Sequence, residues 1–120
     1  MLILSIDTSS NISSICISDD KNVISDIYTL SGPRHSQTLM NNIKNCLSIS
    51  NIDISDIELF AVPNGPGSFT GLRIGISTIA ALSMALNKPC IGISSIDIIG
   101  FNDFCFDGDV QVVIDAKSNM

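Results

Sequence analysis

Twelve consecutive residues, Asn64-Gly65-Pro66-Gly67-Ser68-Phe69-Thr70-Gly71-Leu72-Arg73-Ile74-Gly75, hold four of the chain's eight glycines, two hydroxyl side chains and a guanidinium. A strand-like run precedes them and an apolar, helix-like run follows. A glycine-rich turn from strand to helix leaves free N–H groups at the positive end of a helix dipole, which suits an anion. Gly65, Gly67, Ser68, Thr70, Gly71 and Arg73 are therefore candidates for a phosphate-binding or purely structural loop. Arg73 could reach an anion at the helix start, or make an ordinary structural ion pair. The turn lacks the G-x-x-x-x-G-K-[ST] pattern and the spacing of a dinucleotide fingerprint. Pro66 also removes one N–H from any cradle.

Other residues able to do chemistry are few. Asp7-Thr8-Ser9 closes the first apolar run; an aspartate there could position a metal–phosphate or a water, or simply cap a turn. His35 is the single histidine, flanked by Arg34 and Ser36. As a base it would need a nucleophile and an orienting partner, and no G-x-S-x-G elbow is present. Cys16, Cys46, Cys90 and Cys105 form no C-x-x-C pair, so buried, reduced thiols are expected and no metal site. The net charge is −6 and the six basic residues are scattered, which is no footprint for binding nucleic acid unaided.

The elements that must position these residues follow from pattern and turn chemistry. Residues 2–6, a stretch marked by Ile12, Cys16 and Ile17, and residues 23–28 read as three strands joined by short turns, hence an antiparallel meander. Ser31-Gly32-Pro33 breaks the pattern. Ser36 then caps a helix over residues 36–49, with Leu39, Met40, Ile43, Cys46 and Leu47 on one stripe. Residues 52–57 connect to a strand at 58–62, and the glycine turn leads into a helix over 70–86. Asn87-Lys88-Pro89 stops it. A fifth strand at 90–93, a short helix capped by Ser94 or Ser95 and reaching Phe101, a turn region at 102–109 and a last strand at 110–114 complete the order. A meander followed by βα units predicts one α/β domain with a mixed sheet flanked by helices. The abrupt end after residue 114 suggests that residues 1–109 form one domain and 110–120 begin a second. The N-terminus reads as a strand, with no signal peptide, and no apolar stretch reaches the length of a membrane span.

The second helix is apolar nearly all round, which asks for a partner in a domain this small. Gly75, Ala80, Ala81 and Ala85 would allow close approach of another helix. Leu39, Met40 and Ile43 of the first helix and Leu72, Ile76, Ile79, Leu82 and Met84 of the second are the expected partner-facing residues.

Residues 65–75, Gly-Pro-Gly-Ser-Phe-Thr-Gly-Leu-Arg-Ile-Gly, resemble the signature of the TsaB (YeaZ) family of tRNA threonylcarbamoyladenosine biosynthesis. Leu4-Ser5-Ile6-Asp7-Thr8-Ser9, Arg34-His35-Ser36, Ala85-Leu86-Asn87-Lys88-Pro89, Gly92-Ile93-Ser94-Ser95 and Val113-Ile114-Asp115-Ala116 support the likeness along nearly the whole chain. Gln37 and Asn41-Asn42 depart from the usual pattern, which touches details of the partner surface. The resemblance implies an actin-like ATPase (RNase H-like) fold of two related domains, of which this is the N-terminal one. It implies a cytoplasmic, non-catalytic subunit with no cofactor of its own. That subunit pairs through its helices with a TsaD-type transferase and joins a TsaE-type ATPase. Homodimerisation through the same helices, tRNA contact through the complex alone and a nucleotide at the subunit junction are further implications. The competing readings are an enzyme of the same superfold, either a phosphotransferase or a peptidase, and a self-associating module. For a kinase-like site, Thr8-Ser9-Ser10-Asn11 offers no glycine beside Asp7 to admit phosphate.

Overall fold

Alternating aliphatic and small polar residues build the first half of the sheet. In the computed structural model, which describes residues 1–30 and 35–101, β1 (Ile3–Asp7), β2 (Ile12–Ser18) and β3 (Val23–Leu30) form an antiparallel meander. Ile3 lies opposite Ser18 and Asp7 opposite Ser14. Period-two alternation sends Leu4, Ile6, Ile15 and Ile17 to one face, where all four are buried. The β2–β3 turn is held by Asp19, whose carboxylate accepts from the amides of Lys21 (2.8 Å) and Asn22 (2.7 Å).

α1 (His35–Ser50) crosses to β4 (Leu59–Pro63), which pairs parallel to β1; α2 (Phe69–Leu86) crosses to β5 (Cys90–Ile93), which pairs parallel to β4. α3 (Ser95–Phe101) follows. The strand order is β3-β2-β1-β4-β5, so the expected mixed five-stranded α/β sheet is present, with the actin-like (RNase H-like) architecture. The connector contains a single 3-10 turn, Ile54–Asp56, capped by Asp53.

α1 lies over β2 and β3, and α2 over β1, β4 and β5. Between helices and sheet sit Leu39, Ile43 and Cys46 of α1, Ile79 of α2, and Phe60 and Val62 of β4. On the other face, Ile98 of α3 borders a cavity of about 250 Å³ with Ser5, Asp7, Ser14 and Cys16. Burial there raises the Cys16 thiol above its ordinary pKa, with the Asp26 charge adding to it.

Several details differ from the sequence expectation. α1 begins at His35, so Ser36 is inside the helix and does not cap it. α2 begins at Phe69, one residue before the expected start, with Ser68 as its cap accepting from the Gly71 amide at 3.3 Å; Asn87 ends it where expected, in the left-handed conformation. Cys46 is buried, but Cys90 is exposed. By length and composition α2 would suffice to cross a membrane, contrary to the expectation that no stretch would. Its Gly71, Gly75 and Ile79 side is buried against the sheet, so part of its apolarity serves the domain's own packing. Ser31-Gly32-Pro33, Arg34, the side chain of His35, residues 102–109, the strand at 110–114 and the start of a second domain all lie outside the described residues.

Candidate functional site

The turn after β1 folds on itself. Asp7 Oδ1 accepts from the Ser9 amide (2.9 Å) and the Ser9 hydroxyl (2.5 Å). This leaves Thr8 pointing inward, fully buried, where its hydroxyl donates to the Gly71 carbonyl at 2.6 Å. The glycine turn returns the contact, since the Ser68 amide donates to the Ser9 carbonyl at 2.9 Å. The two turns that could have framed an anion or metal site are thus tied to each other.

Gly71 and Gly75 show why side chains are absent from this contact. A Cβ on Gly71 would lie 1.9 Å from the Thr8 carbonyl oxygen, and one on Gly75 would lie 2.7 Å from the Thr8 hydroxyl. Both positions need glycine for close approach of helix to strand end. This overturns the expectation that Gly75 invites a partner helix: it faces Thr8 and Val62 of its own domain. The loop's capacity to hold an anion shrinks with it. The Ser68 and Gly71 amides are engaged within the chain, and Pro66 has none to offer.

The six loop candidates therefore separate. Gly65, Gly67, Ser68 and Gly71 pack around the Thr8–Ser9 turn and Leu72. Thr70 and Arg73 instead line a groove of about 360 Å³ between α1 and α2, with Leu39, Met40, Ile74 and Ser77. The Arg73 guanidinium stacks over the Phe69 ring, 5.6 Å from its centroid. It makes no salt bridge with any described residue; the N-terminal amine and Asp20 form the single ion pair among them.

The eight expected partner-facing residues separate as well. Leu39, Ile43 and Ile79 are core residues, at most 2% exposed, and cannot meet a partner. Substituting Ile79 would report on folding, not on binding. Leu72 is half-buried beneath the glycine turn, and Leu82 packs against the core. Met40 (42% exposed), Ile76 (40%) and Met84 (82%) do reach the surface. Phe69, 74% exposed, joins them and was missed by sequence reasoning. A signal for it existed, because Phe69, Arg73, Ile76, Ala80 and Met84 recur at steps of four, three, four and four, one continuous helical stripe. Among the described residues no cluster of three or more His, Cys, Asp or Glu could hold a metal ion.

Comparison with known proteins gives consistent matches. The sequence family described as "TsaD: tRNA N6-adenosine threonylcarbamoyltransferase" matches residues 28–120. The "tRNA threonylcarbamoyladenosine biosynthesis protein TsaB" of Bacillus subtilis is 32% identical over 117 residues, which cover 98% of this chain and 51% of that protein. The "tRNA N6-adenosine threonylcarbamoyltransferase" of Thermosipho melanesiensis is 31% identical over 111 residues, 80% of this chain and 34% of that protein. Among solved structures, YeaZ from Pseudomonas aeruginosa superposes with a TM-score of 0.80 at 26% identity, covering 87% of this chain and 48% of that one. The chain spans about half the length of its TsaB and YeaZ relatives.

Proposed function

The chain belongs to the TsaB/TsaD family of tRNA threonylcarbamoyladenosine proteins, and on that premise we propose that it acts as a TsaB-type, non-catalytic subunit in forming that modification. In this reading it docks on a TsaD-type transferase through the outer surfaces of α1 and α2 and activates it. A TsaE-type ATPase and the tRNA join through the assembled complex. The TsaB-type role is preferred because the Bacillus and Escherichia TsaB proteins are both 32% identical over 98% of the chain, and because YeaZ superposes with a TM-score of 0.80.

The observation that carries the docking is the exposed stripe of Phe69, Ile76 and Met84 beside Met40. Four large apolar side chains on one face of two packed helices form a patch of the kind that marks interaction sites. A second domain beginning near residue 110 belongs to the same proposal, since the TsaB relatives are about twice as long.

The test is calorimetric binding of this chain to the TsaD-type transferase, with threonylcarbamoyladenosine formation measured in parallel. Wild type should bind and stimulate. Ile76→Asp with Met84→Asp should abolish both while the circular dichroism stays unchanged. Undiminished binding by that double variant would remove the α1–α2 face from the account. ATP hydrolysis or proteolysis by the chain alone would favour the competing enzyme reading.

A further inference from the structure

The two edges of the sheet are made differently. β5, at one edge, is four residues long, and a strand that short offers little to a neighbour. β3, at the other edge, is eight residues long and contains no proline, no lysine and a single charged residue, Asp26. Among the described residues β3 pairs with β2 alone, so its outward row of amides and carbonyls has no described strand beside it. α1 covers one face of β3: Asn42 donates to the Thr29 hydroxyl at 3.3 Å, and Cys46 Sγ lies 3.1 Å from the Ser25 hydroxyl. The opposite face carries Tyr28 and Leu30, 70% and 75% exposed, beside Asp26. Leu30 stands across from Ile12 of β2, itself exposed, so the apolar surface continues over both strands. Sheets blunt such edges with lysine, proline or a bulge. The one irregularity in the β2–β3 pairing falls at Ile24 and leaves residues 25–30 regular.

We infer that the β3 edge is a self-association surface, where a second copy of the chain adds its own β3 antiparallel with Ile27 on the two-fold axis. The register follows from charge. Two antiparallel strands related by a two-fold axis have one residue facing its own copy. Centring on Asp26 would set two carboxylates directly opposite each other, which is unfavourable. Centring on Tyr28 would set each Asp26 against the other copy's Leu30. Centring on Ile27 sets each Asp26 against the other copy's Tyr28, whose hydroxyl can donate to it, and brings each Leu30 to Ile24. Asp26 and Tyr28 already interact within one strand, where the Asp26 charge raises the Tyr28 hydroxyl above its ordinary pKa. On the α1 side the same register faces Ser25 with Thr29 and Ile27 with itself. Ile49, 70% exposed, continues the α1 stripe of Asn42 and Cys46 and would border the seam. Two five-stranded sheets then join into one. This surface is separate from the outer faces of α1 and α2, and the inference does not depend on the docking proposed there.

The experiment sediments the chain carrying Ile76→Asp and Met84→Asp over a range of concentrations, so that contacts through the outer helix face are removed. This chain should still dimerise as concentration rises. Adding Tyr28→Lys and Leu30→Lys should weaken the dimer by about tenfold or more, with circular dichroism unchanged. The register is read by cross-linking after Cys90→Ser and Cys105→Ser remove two native thiols. Ile27→Cys should then give a disulfide-linked dimer under mild oxidation. Leu30→Cys, set well apart from its own copy in this register, should give far less. A monomer at every concentration would overturn the inference, as would a dimer indifferent to the two lysines. Cross-linking through Leu30→Cys in preference to Ile27→Cys would overturn the register.

Discussion

The inner and outer sides of α2 are assembled in opposite ways. On the inner side, the residues at the N-terminal end are Gly71 and Gly75, and what fills the space is the buried Thr8 of another element. On the outer side stand Phe69, Ile76 and Met84, large apolar groups with little of their own chain over them. A helix whose side chains were sorted by size alone would be turned the other way. The lesson is that small residues can mark where the backbone must come closest, so the bulk displaced from that side becomes available to a partner. The glycine-rich motif that dominates the sequence is then a packing device, and the exposed apolar stripe lies across the helix from it.

Substitutions on the two sides should separate these roles. The largest effect is expected from Gly71→Ala, because the obstacle is a backbone carbonyl that cannot swing away. Denaturant unfolding should register a loss at or beyond the upper end of overpacking, about 3 kcal/mol. A loss below about 1 kcal/mol would mean that strand end and helix are less tightly tied than the distances indicate. Next in size, Ile79→Ala should cost about 2–5 kcal/mol as a core truncation. Met84→Ala, five residues further along and facing out, should change stability by no more than about 0.5 kcal/mol. If the two variants proved equally destabilising, the contrast between inner and outer sides would fail.

Thr8→Val keeps the shape of the inner contact and removes its hydroxyl donor. A cost of about 1 kcal/mol is expected, recovered in Thr8→Ser if the hydrogen bond to Gly71 is the cause. The smallest effect comes from acid. Backbone amides, first that of Ser55 at Asp53 and that of Lys21 at Asp19, hold these two exposed carboxyls below their ordinary pKa of 3.8. A lowered folded pKa gives stability that is present above 3.8 and is lost as pH falls through the folded value. Asp19→Asn with Asp53→Asn should therefore flatten the stability profile below that pH slightly. It should leave the α1–α2 face untouched.

Much of the fold was legible in the sequence. The meander followed from period-two alternation broken by Asp19-Asp20-Lys21-Asn22, and the two long helices from apolar stripes, the first after Ser31-Gly32-Pro33 and the second between the glycine turn and Asn87-Lys88-Pro89. The site was legible only in part. Met40, Ile76 and Met84 are exposed, but Leu39, Ile43 and Ile79 were placed on the surface when they are core, and the exposed Phe69 was missed. Periodicity says which residues share a face; it does not say which of two apolar faces turns inward. In α1 the answer was nearly determined, because Asn41, Lys44 and Asn45 mark the wet side. In α2, apolar on both sides, nothing in the helix itself decides.

What the amino-acid order determined by itself was local: strands, turns, the tight glycine turn and the absence of acids from both long helices. Each depends on neighbours within a few residues or on composition, and so can be read without coordinates. What tertiary structure alone decided was the rotation of α2 about its axis. That rotation is set by Thr8, some sixty residues away in the chain, whose hydroxyl reaches Gly71 and whose carbonyl leaves room for no side chain there. A contact between distant segments has no local signature, and this one determines which side of the helix faces outward.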